Sequence, residues 1–220
     1  MGQFLLDASV NVYEVFAFTA LMLSIFRISL KEYLVFTIIA GVVIALTSYL
    51  LRFVFNLETI TPLFMLLWLY IFVWQIFRFH SFYALMMTVT GYLGYLVIQC
   101  LIILLLQIRF SLEEISTPLL HAKLLQLASA TVTLVIAYWL WKKRLGFSFV
   151  PDRMSEKVEM KGLNLVLLSI SIVACFFISG IAYLFIDVSF WFNTVVIILL
   201  LCLITVSMML KFALDKEMKS

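Results

Sequence analysis

Residues 82–106 read FYALMMTVTGYLGYLVIQCLIILLL, twenty-five positions without a charge, lying between Arg78 and Arg109. A helix over this run is about 37 Å long at 1.5 Å per residue, more than the roughly 30 Å hydrocarbon core of a bilayer. A stretch of that length and character predicts a membrane span. Working outward, charges bound six more apolar runs: 4–26, 33–55 and 60–77 before it, and 119–141, 162–186 and 189–212 after it. The third is the shortest, and only Asp187 and Val188 separate the last two, which predicts a tight helical hairpin.

The composition agrees. Of 220 residues, 65% are hydrophobic and 12% charged, and the mean hydropathy is +1.18. Soluble domains are roughly 45–50% apolar and about 25% charged, so the solvent is lipid. The fold expected is all-α, a polytopic transmembrane helix bundle of about seven spans, with residues 1–220 forming a single membrane domain. That leaves no room for a sizeable soluble catalytic domain.

Lys and Arg set the orientation of such a bundle. With the N-terminus outside, the inner side receives Arg27, Lys31, Arg78, Lys142, Lys143, Arg144, Arg153, Lys157, Lys161, Lys211, Lys216 and Lys219. Only Arg52, Arg109 and Lys123 stay in the outer half, so twelve of fifteen cations lie inside. The acidic residues divide evenly, as expected when cations alone respond to the rule. The C-terminus is therefore expected to be cytoplasmic, with residues 142–161 as the main cytoplasmic loop. The N-terminus lacks the cationic region of a signal peptide, and Gly2 is not followed by a myristoylation pattern. The net charge of +3 belongs to these inner loops and does not point to nucleic acid. Loop 142–161 reads as a solvated connection, because Asp152, Glu156 and Glu159 dilute its attraction for anionic headgroups.

Local signals fit these boundaries. Thr61-Pro62 and Thr117-Pro118 each put a hydroxyl before a proline, the pattern of a helix start. Trp74, Phe77, Phe79, Phe82 and Tyr83 crowd the turn between the third and fourth spans and read as an interfacial belt.

Helices in lipid associate through small and polar faces. Such stripes recur at helical spacing: Glu14, Ala17 and Ser24; Gly41, Ala45, Ser48 and Arg52; Thr88, Gly91, Tyr95 and Gln99; Lys123, Gln126, Ala130, Thr133 and Ala137; Ser171, Cys175, Ser179 and Ala182. Packing explains most of them. The strongly polar members are not evenly placed in depth. Arg52, Gln99, Lys123, Gln126 and Asn193 fall within roughly 10 Å of the outer boundary, and Glu14 about 15 Å in. An acid at that depth is costly unless neutral, paired or in a wet cavity, and intramembrane charges mark functional sites. Arg52 and Lys123 are its candidate partners, although both can instead extend outward to water. These six residues outline an outward-facing polar vestibule, the candidate ligand site, closed below by apolar packing.

Catalytic and cofactor signatures are missing. Cys100, Cys175 and Cys202 lie within spans and have no disulfide or metal spacing. His80 and His121 fall at opposite faces. There is no His-Glu-x-x-His motif and no Gly-x-Ser-x-Gly elbow. Glu113-Glu114 resembles the double glutamate of prenyl endopeptidases, but Pro118 stands where the arginine belongs. His80 and Cys100 sit at opposite ends of one span, too far apart for a Cys–His enzyme. Lys211 is at the inner end of its span, not at the middle as a retinal protein requires. No selectivity filter or mid-membrane broken-helix pair is present. An enzyme is not expected, nor a cofactor or metal.

Seven spans, an outer N-terminus and a basic inner loop after the fifth span carry a resemblance, together with Phe26-Arg27-Ile28-Ser29-Leu30, Thr88-Val89-Thr90-Gly91-Tyr92-Leu93 and Lys142 through Asp152. The chain resembles the membrane sensor region of AgrC-type peptide-pheromone receptors, histidine kinases of the GHKL superfamily. Those kinases continue well past the last span with a phosphoacceptor histidine and an ATP-binding domain. Here the sequence stops eight residues after Phe212, and neither histidine precedes an acidic residue. The resemblance thus implies a sensor module without a transmitter, in a bacterial plasma membrane. Its implied ligand is a small peptide from outside, and its implied partner a kinase, another membrane protein or a second copy. Two other readings fit the same composition: the substrate-binding membrane subunit of a vitamin-type importer, or a structural protein for membrane assembly. Alanine is spread thinly, whereas importer subunits carry an Ala-rich docking face, so the receptor reading is preferred.

Overall fold

The computed structural model of the chain describes residues 2–57, 60–109, 119–150, 161–184 and 191–218. Within the helices, the side chains of residues 2–5, 119–120, 122, 179–184 and 191–194 lie outside that description. No strand occurs among the described residues. The helices are α1 Gly2–Ile25, α2 Leu30–Tyr49, α3 Thr61–Ile71, α4 Ser81–Gln107, α5 Leu119–Lys143, α6 Leu163–Leu184 and α7 Trp191–Glu217. A π turn prolongs α2 over Leu50–Val54 and α3 over Phe72–Ile76. Each helix falls on one of the apolar runs. A helix satisfies its own backbone polar groups, which an apolar solvent cannot do.

Five stretches are long and apolar enough to cross a membrane: Leu6–Ile25, Leu30–Val54, Ser81–Gln107, Lys123–Lys143 and Val195–Glu217. Thr61–Ile76 and Leu163–Ile178 are apolar but shorter. The first of these covers only about 24 Å, which separates it from the longer five.

Four helix ends close on a left-handed residue, Asn56 and Arg78 doing so after a π turn. Arg27, Asn56, Arg78 and Arg144 take left-handed conformations, with φ of 54°, 54°, 62° and 51°. Beside them, Ile28 N–H donates to Leu23 O (2.9 Å), Phe55 to Leu50 (3.0 Å), Phe77 to Phe72 (2.9 Å) and Leu145 to Leu140 (3.0 Å). These turns satisfy terminal carbonyls that a straight helix leaves open. Three of the four carry arginine, whose charge also opposes the negative end of the helix dipole.

Contacts at one end of the bundle fix the relative directions of the helices. Tyr33, near the start of α2, packs on Phe77 and Phe79 beyond the end of α3. Phe26 after α1 meets Phe147 and Phe149 after α5, and Phe149 meets Tyr83 at the start of α4. Near the end of α7, Lys216 Nζ donates to Tyr83 Oη (2.9 Å) and to Asn164 Oδ1 at the start of α6 (2.8 Å). Ends of α1, α3, α5 and α7 therefore meet starts of α2, α4 and α6, so successive helices alternate in direction.

This aromatic end is packed tightly. The Lys216 ammonium lies over Phe82, Tyr83 and Phe149, 5.2, 4.5 and 5.0 Å from the ring centroids. Glu217 accepts from Ser148 Oγ (2.7 Å) and pairs with Arg27 (3.8 Å). Residues 144–150 fold back on the bundle, with Phe147 and Val150 buried and Phe147 N–H donating to Ile25 O (2.8 Å). Gly146 makes this approach possible: a Cβ there would sit 2.3 Å from Ile25 O, at a φ of +145°. The first part of loop 142–161 is thus docked on the bundle, and residues 151–160 lie outside the described residues.

Two local readings change. Phe77, Phe79, Phe82 and Tyr83 are buried, Phe79 to 1% exposure. They form core at the aromatic end instead of an interfacial belt. The exposed aromatics near this level are Tyr138, Trp139 and Trp141 of α5. Thr61 lies inside α3, and its hydroxyl donates to Leu57 O (2.9 Å) instead of capping an N–H. Thr117-Pro118 lies outside the described residues.

Candidate functional site

The polar stripes read from spacing do turn inward. Gly41, Ala45, Ser48, Thr88, Gly91, Tyr95, Lys123, Ala130, Thr133, Ala137 and Ser171 are buried. Most of their hydroxyls serve their own helix. Thr19, Thr37, Thr88, Thr90, Thr133 and Ser171 each donate to the carbonyl four residues back, at 2.7–2.8 Å. Such bonds let a hydroxyl sit in an apolar interior without a partner on another helix. They are packing groups.

A different pattern holds where α1, α4 and α5 meet. Asp7, Asn11 and Glu14 recur at helical spacing on α1, with Asp7 7% and Asn11 2% exposed. Lys123, Gln126 and Ser129 do the same on α5. Lys123 Nζ forms an ion pair with Asp7 Oδ1 and donates to Gln126 Oε1 (3.0 Å). About two turns along, Tyr95 of α4 donates from Oη to Glu14 Oε1 (2.7 Å) and lies 3.2 Å from Ser129 Oγ. Ser129 Oγ is also within 3.0 Å of the Leu125 and Gln126 carbonyls. Tyr13 and Thr131 continue the α1–α5 contact at 3.2 Å. The partners rise together, 7 with 123 and 13 with 131, so α1 and α5 run parallel. The result is a seam of polar links in the half of the bundle remote from the aromatic end.

Local sequence explains why the helices approach here. α1 crosses α4 at Gly91, where a Cβ would lie 2.7 Å from Met22 Cβ, and crosses α2 at Gly41, where it would lie 3.2 Å from Val12 Cγ1. Absent side chains at these two points let the helix axes close up. Glu14 is then within reach of Tyr95.

Of the six residues singled out by sequence, the structure joins Lys123 directly to Gln126 and ties Glu14 to the same α5 face through Tyr95 and Ser129. Lys123 takes Asp7 as its counter-ion, not Glu14, because Asp7 stands at its level on the parallel helix. Arg52 lies in the π turn after α2, half-buried, and makes no ion pair among the described residues. Gln99 is half-buried on α4, one turn beyond Tyr95. The side chain of Asn193 lies outside the described residues.

Sequence reasoning missed Asp7, Asn11 and Ser129. The signal was present: 7, 11 and 14 share one helix face, as do 123, 126 and 129. Among the described residues no group of three or more His, Cys, Asp or Glu side chains is placed to hold a metal ion. Compared with protein-family models, with curated proteins and with solved structures, the chain matches none.

Proposed function

We propose that this protein is a receptor-like sensor in a bacterial plasma membrane. It crosses the bilayer seven times, with its N-terminus outside and its C-terminus in the cytoplasm. The polar seam takes a hydrophobic or peptide signal from outside, and the aromatic end passes the change to a cytoplasmic partner. The protein carries out no reaction of its own.

The observation that carries this reading is the placement of charge. Asp7, Lys123 and Glu14 lie inside an apolar bundle, in the half away from the aromatic end. Charges in lipid cost several kcal/mol, and they recur where ligands, ions or signals are handled. The alternating helix directions and the gathering of Arg27, Arg78, Arg144 and Lys216 at the aromatic end support seven crossings with that end inside. The segments resembling peptide-pheromone sensors support the same class of ligand.

The test is to purify the protein in mild detergent, identify co-purified molecules by native mass spectrometry, and follow thermal unfolding as they are added back. A peptide or hydrophobic compound should stabilise the wild type, and Glu14→Gln should blunt the effect. A vitamin-like metabolite bound at nanomolar affinity would sink the receptor reading in favour of an importer subunit.

A further inference from the structure

The polar seam holds two acids and one base. Asp7 and Glu14 lie two turns apart on one face of α1, about 10 Å along the helix. Lys123 is the one cation in ion-pair contact with either acid among the described residues, and it is committed to Asp7 and Gln126. Glu14 Oε1 accepts from the Tyr95 hydroxyl (2.7 Å), and its Oε2 has no partner among the described residues. Asn11, 2% exposed, stands between the two acids on the same face. Its amide forms no hydrogen bond among the described residues either.

The helices packed on α1 bring no second cation to Glu14. α2 runs antiparallel to α1 with Gly41 opposite Val12, so Ile39 is level with Glu14 and Leu46 with Asp7. Tyr49 and Arg52 come beyond Asp7, and the Arg52 Cα is about 19 Å from that of Glu14 along the bundle axis. From α4 come two phenols, Tyr95 and Tyr92, the latter packed on Phe18. From α5 comes Lys123, while His121 is exposed at the start of that helix. Tyr13 of α1 itself turns to Thr131. Two carboxylates against one ammonium would leave a negative charge without compensation in an apolar interior, whereas a carboxylic acid carries no such penalty.

We propose that the seam binds one exchangeable proton, shared between Glu14 and Asp7, with Lys123 as their common counter-ion. In the present arrangement the proton is on Glu14 and Lys123 pairs with Asp7. In the other, Lys123 turns toward the aromatic end and pairs with Glu14, and the proton passes to Asp7. One O–H bond breaks at Glu14 and one forms at Asp7, so the seam is neutral in both. Lys123 already leans that way, since Gln126, to which it donates, lies one turn closer to the aromatic end. Asn11 spans the gap between the acids with an amide that both donates and accepts. A proton asks for no cavity. Asp7 is the acid nearer the end of the bundle, and its side chain keeps 10% exposure, so exchange with the medium takes place there. This proton site goes beyond the sensor reading and rests on it only for the side of the membrane that supplies the proton.

Infrared spectroscopy counts protonated carboxyls directly, because their carbonyl stretch is separate from those of carboxylates and amides. The full chain is measured near neutral pH in a maltoside detergent, which has no ester carbonyl of its own. Wild type should show about one protonated carboxyl per chain, with a band that shifts in heavy water, because the proton of two coupled acids belongs to the pair. Glu14→Gln, which leaves the Asp7–Lys123 pair in place, should lose the band. Asp7→Asn should lose it too, because Lys123 then turns to Glu14. Stability falls in that variant all the same, since Gln126 gives up its lysine bond and the Glu14 carboxyl is drawn from Tyr95. Lys123→Met should raise the signal to about two, as both acids then sit without a cation. The proposal is overturned if wild type shows no band, or if either Glu14→Gln or Asp7→Asn keeps it. Because Glu14→Gln retains the ion pair, its comparison with wild type decides the matter even where another variant does not fold. A band that behaves as expected in a protein stabilised by no peptide or hydrophobic compound would uphold the proton site while removing the sensor reading.

Discussion

Asp7 and Lys123 show how much a single pair can matter when the surroundings are apolar. Both side chains are nearly inaccessible, so neither charge has water to fall back on. Removing one partner of a buried pair leaves an unpaired charge and costs about 3–5 kcal/mol, whereas removing both together is far cheaper. Asp7→Asn and Lys123→Met should each lower stability by that order in a mild-detergent unfolding titration. The double substitution should recover at least half of the loss. Additive losses in the cycle would show that the two residues do not act as a pair. Glu14 behaves differently, since Tyr95 and not a cation is its hydrogen-bond partner. The sequence announced Glu14, Lys123 and Gln126 through their cost in lipid. It could not say which acid meets which base, because that depends on α1 and α5 running parallel with residues 7 and 123 level.

Helix faces were more legible than side-chain partners. In lipid the buried face is the one with small and polar residues, and Gly41, Ala45 and Ser48 on α2, or Ala130, Thr133 and Ala137 on α5, read directly as inward stripes. The opposite face of α2 is apolar, as Val35, Ile39, Val42 and Leu46 illustrate by their exposure. What spacing could not supply was which face meets which. Gly91 settles one such crossing, because the chain of Met22 occupies the space where a side chain would start. The contact is with the Cβ and Cα of Met22 as well as its more mobile Cγ, so α1 as a whole has to move. Gly91→Leu should therefore push α1 from α4, break the Tyr95–Glu14 bond and lower stability by about 1–3 kcal/mol, the range for overpacked cores. Gly94→Leu, where the nearest atom is the flexible Leu21 Cδ2 at 3.4 Å, should cost clearly less. Equal losses at the two positions, read from thermal midpoints in the same detergent, would refute the close crossing. The aromatic residues of positions 74–83 misled for a related reason. Composition cannot distinguish rings that anchor in headgroups from rings that interlock between helix ends, and here Tyr33 and Phe149 arrive from distant parts of the chain to cover them.

For the whole molecule, charge asymmetry and helix alternation are independent observations that agree. The first comes from counting Lys and Arg along the sequence, the second from which helix ends touch. They coincide at the aromatic end, where Arg27, Arg78 and Arg144 close the ends of α1, α3 and α5 and Lys216 sits near the end of α7. Length is the discordant quantity, since α3 with its π turn is short for a bilayer of ordinary thickness. Short spans are accommodated by local thinning or by flanking side chains that reach the interface, at fractions of a kcal/mol per Å. Single cysteines in a chain lacking Cys100, Cys175 and Cys202 can decide the matter, with a membrane-impermeant maleimide as the label. Asn56→Cys, after α2, should label in intact cells. Arg78→Cys, after α3, and Ser155→Cys, between α5 and α6, should label only after permeabilisation. Position 155 labelling from outside would invert the whole arrangement and turn the polar seam toward the cytoplasm. Positions 56 and 78 labelling alike would mean that α3 does not cross, although Arg78 takes the same left-handed conformation as Arg27 and Arg144. Alternation at all three positions would place the Asp7–Lys123 pair and Arg52 on the outer side, where a ligand from the medium meets them first.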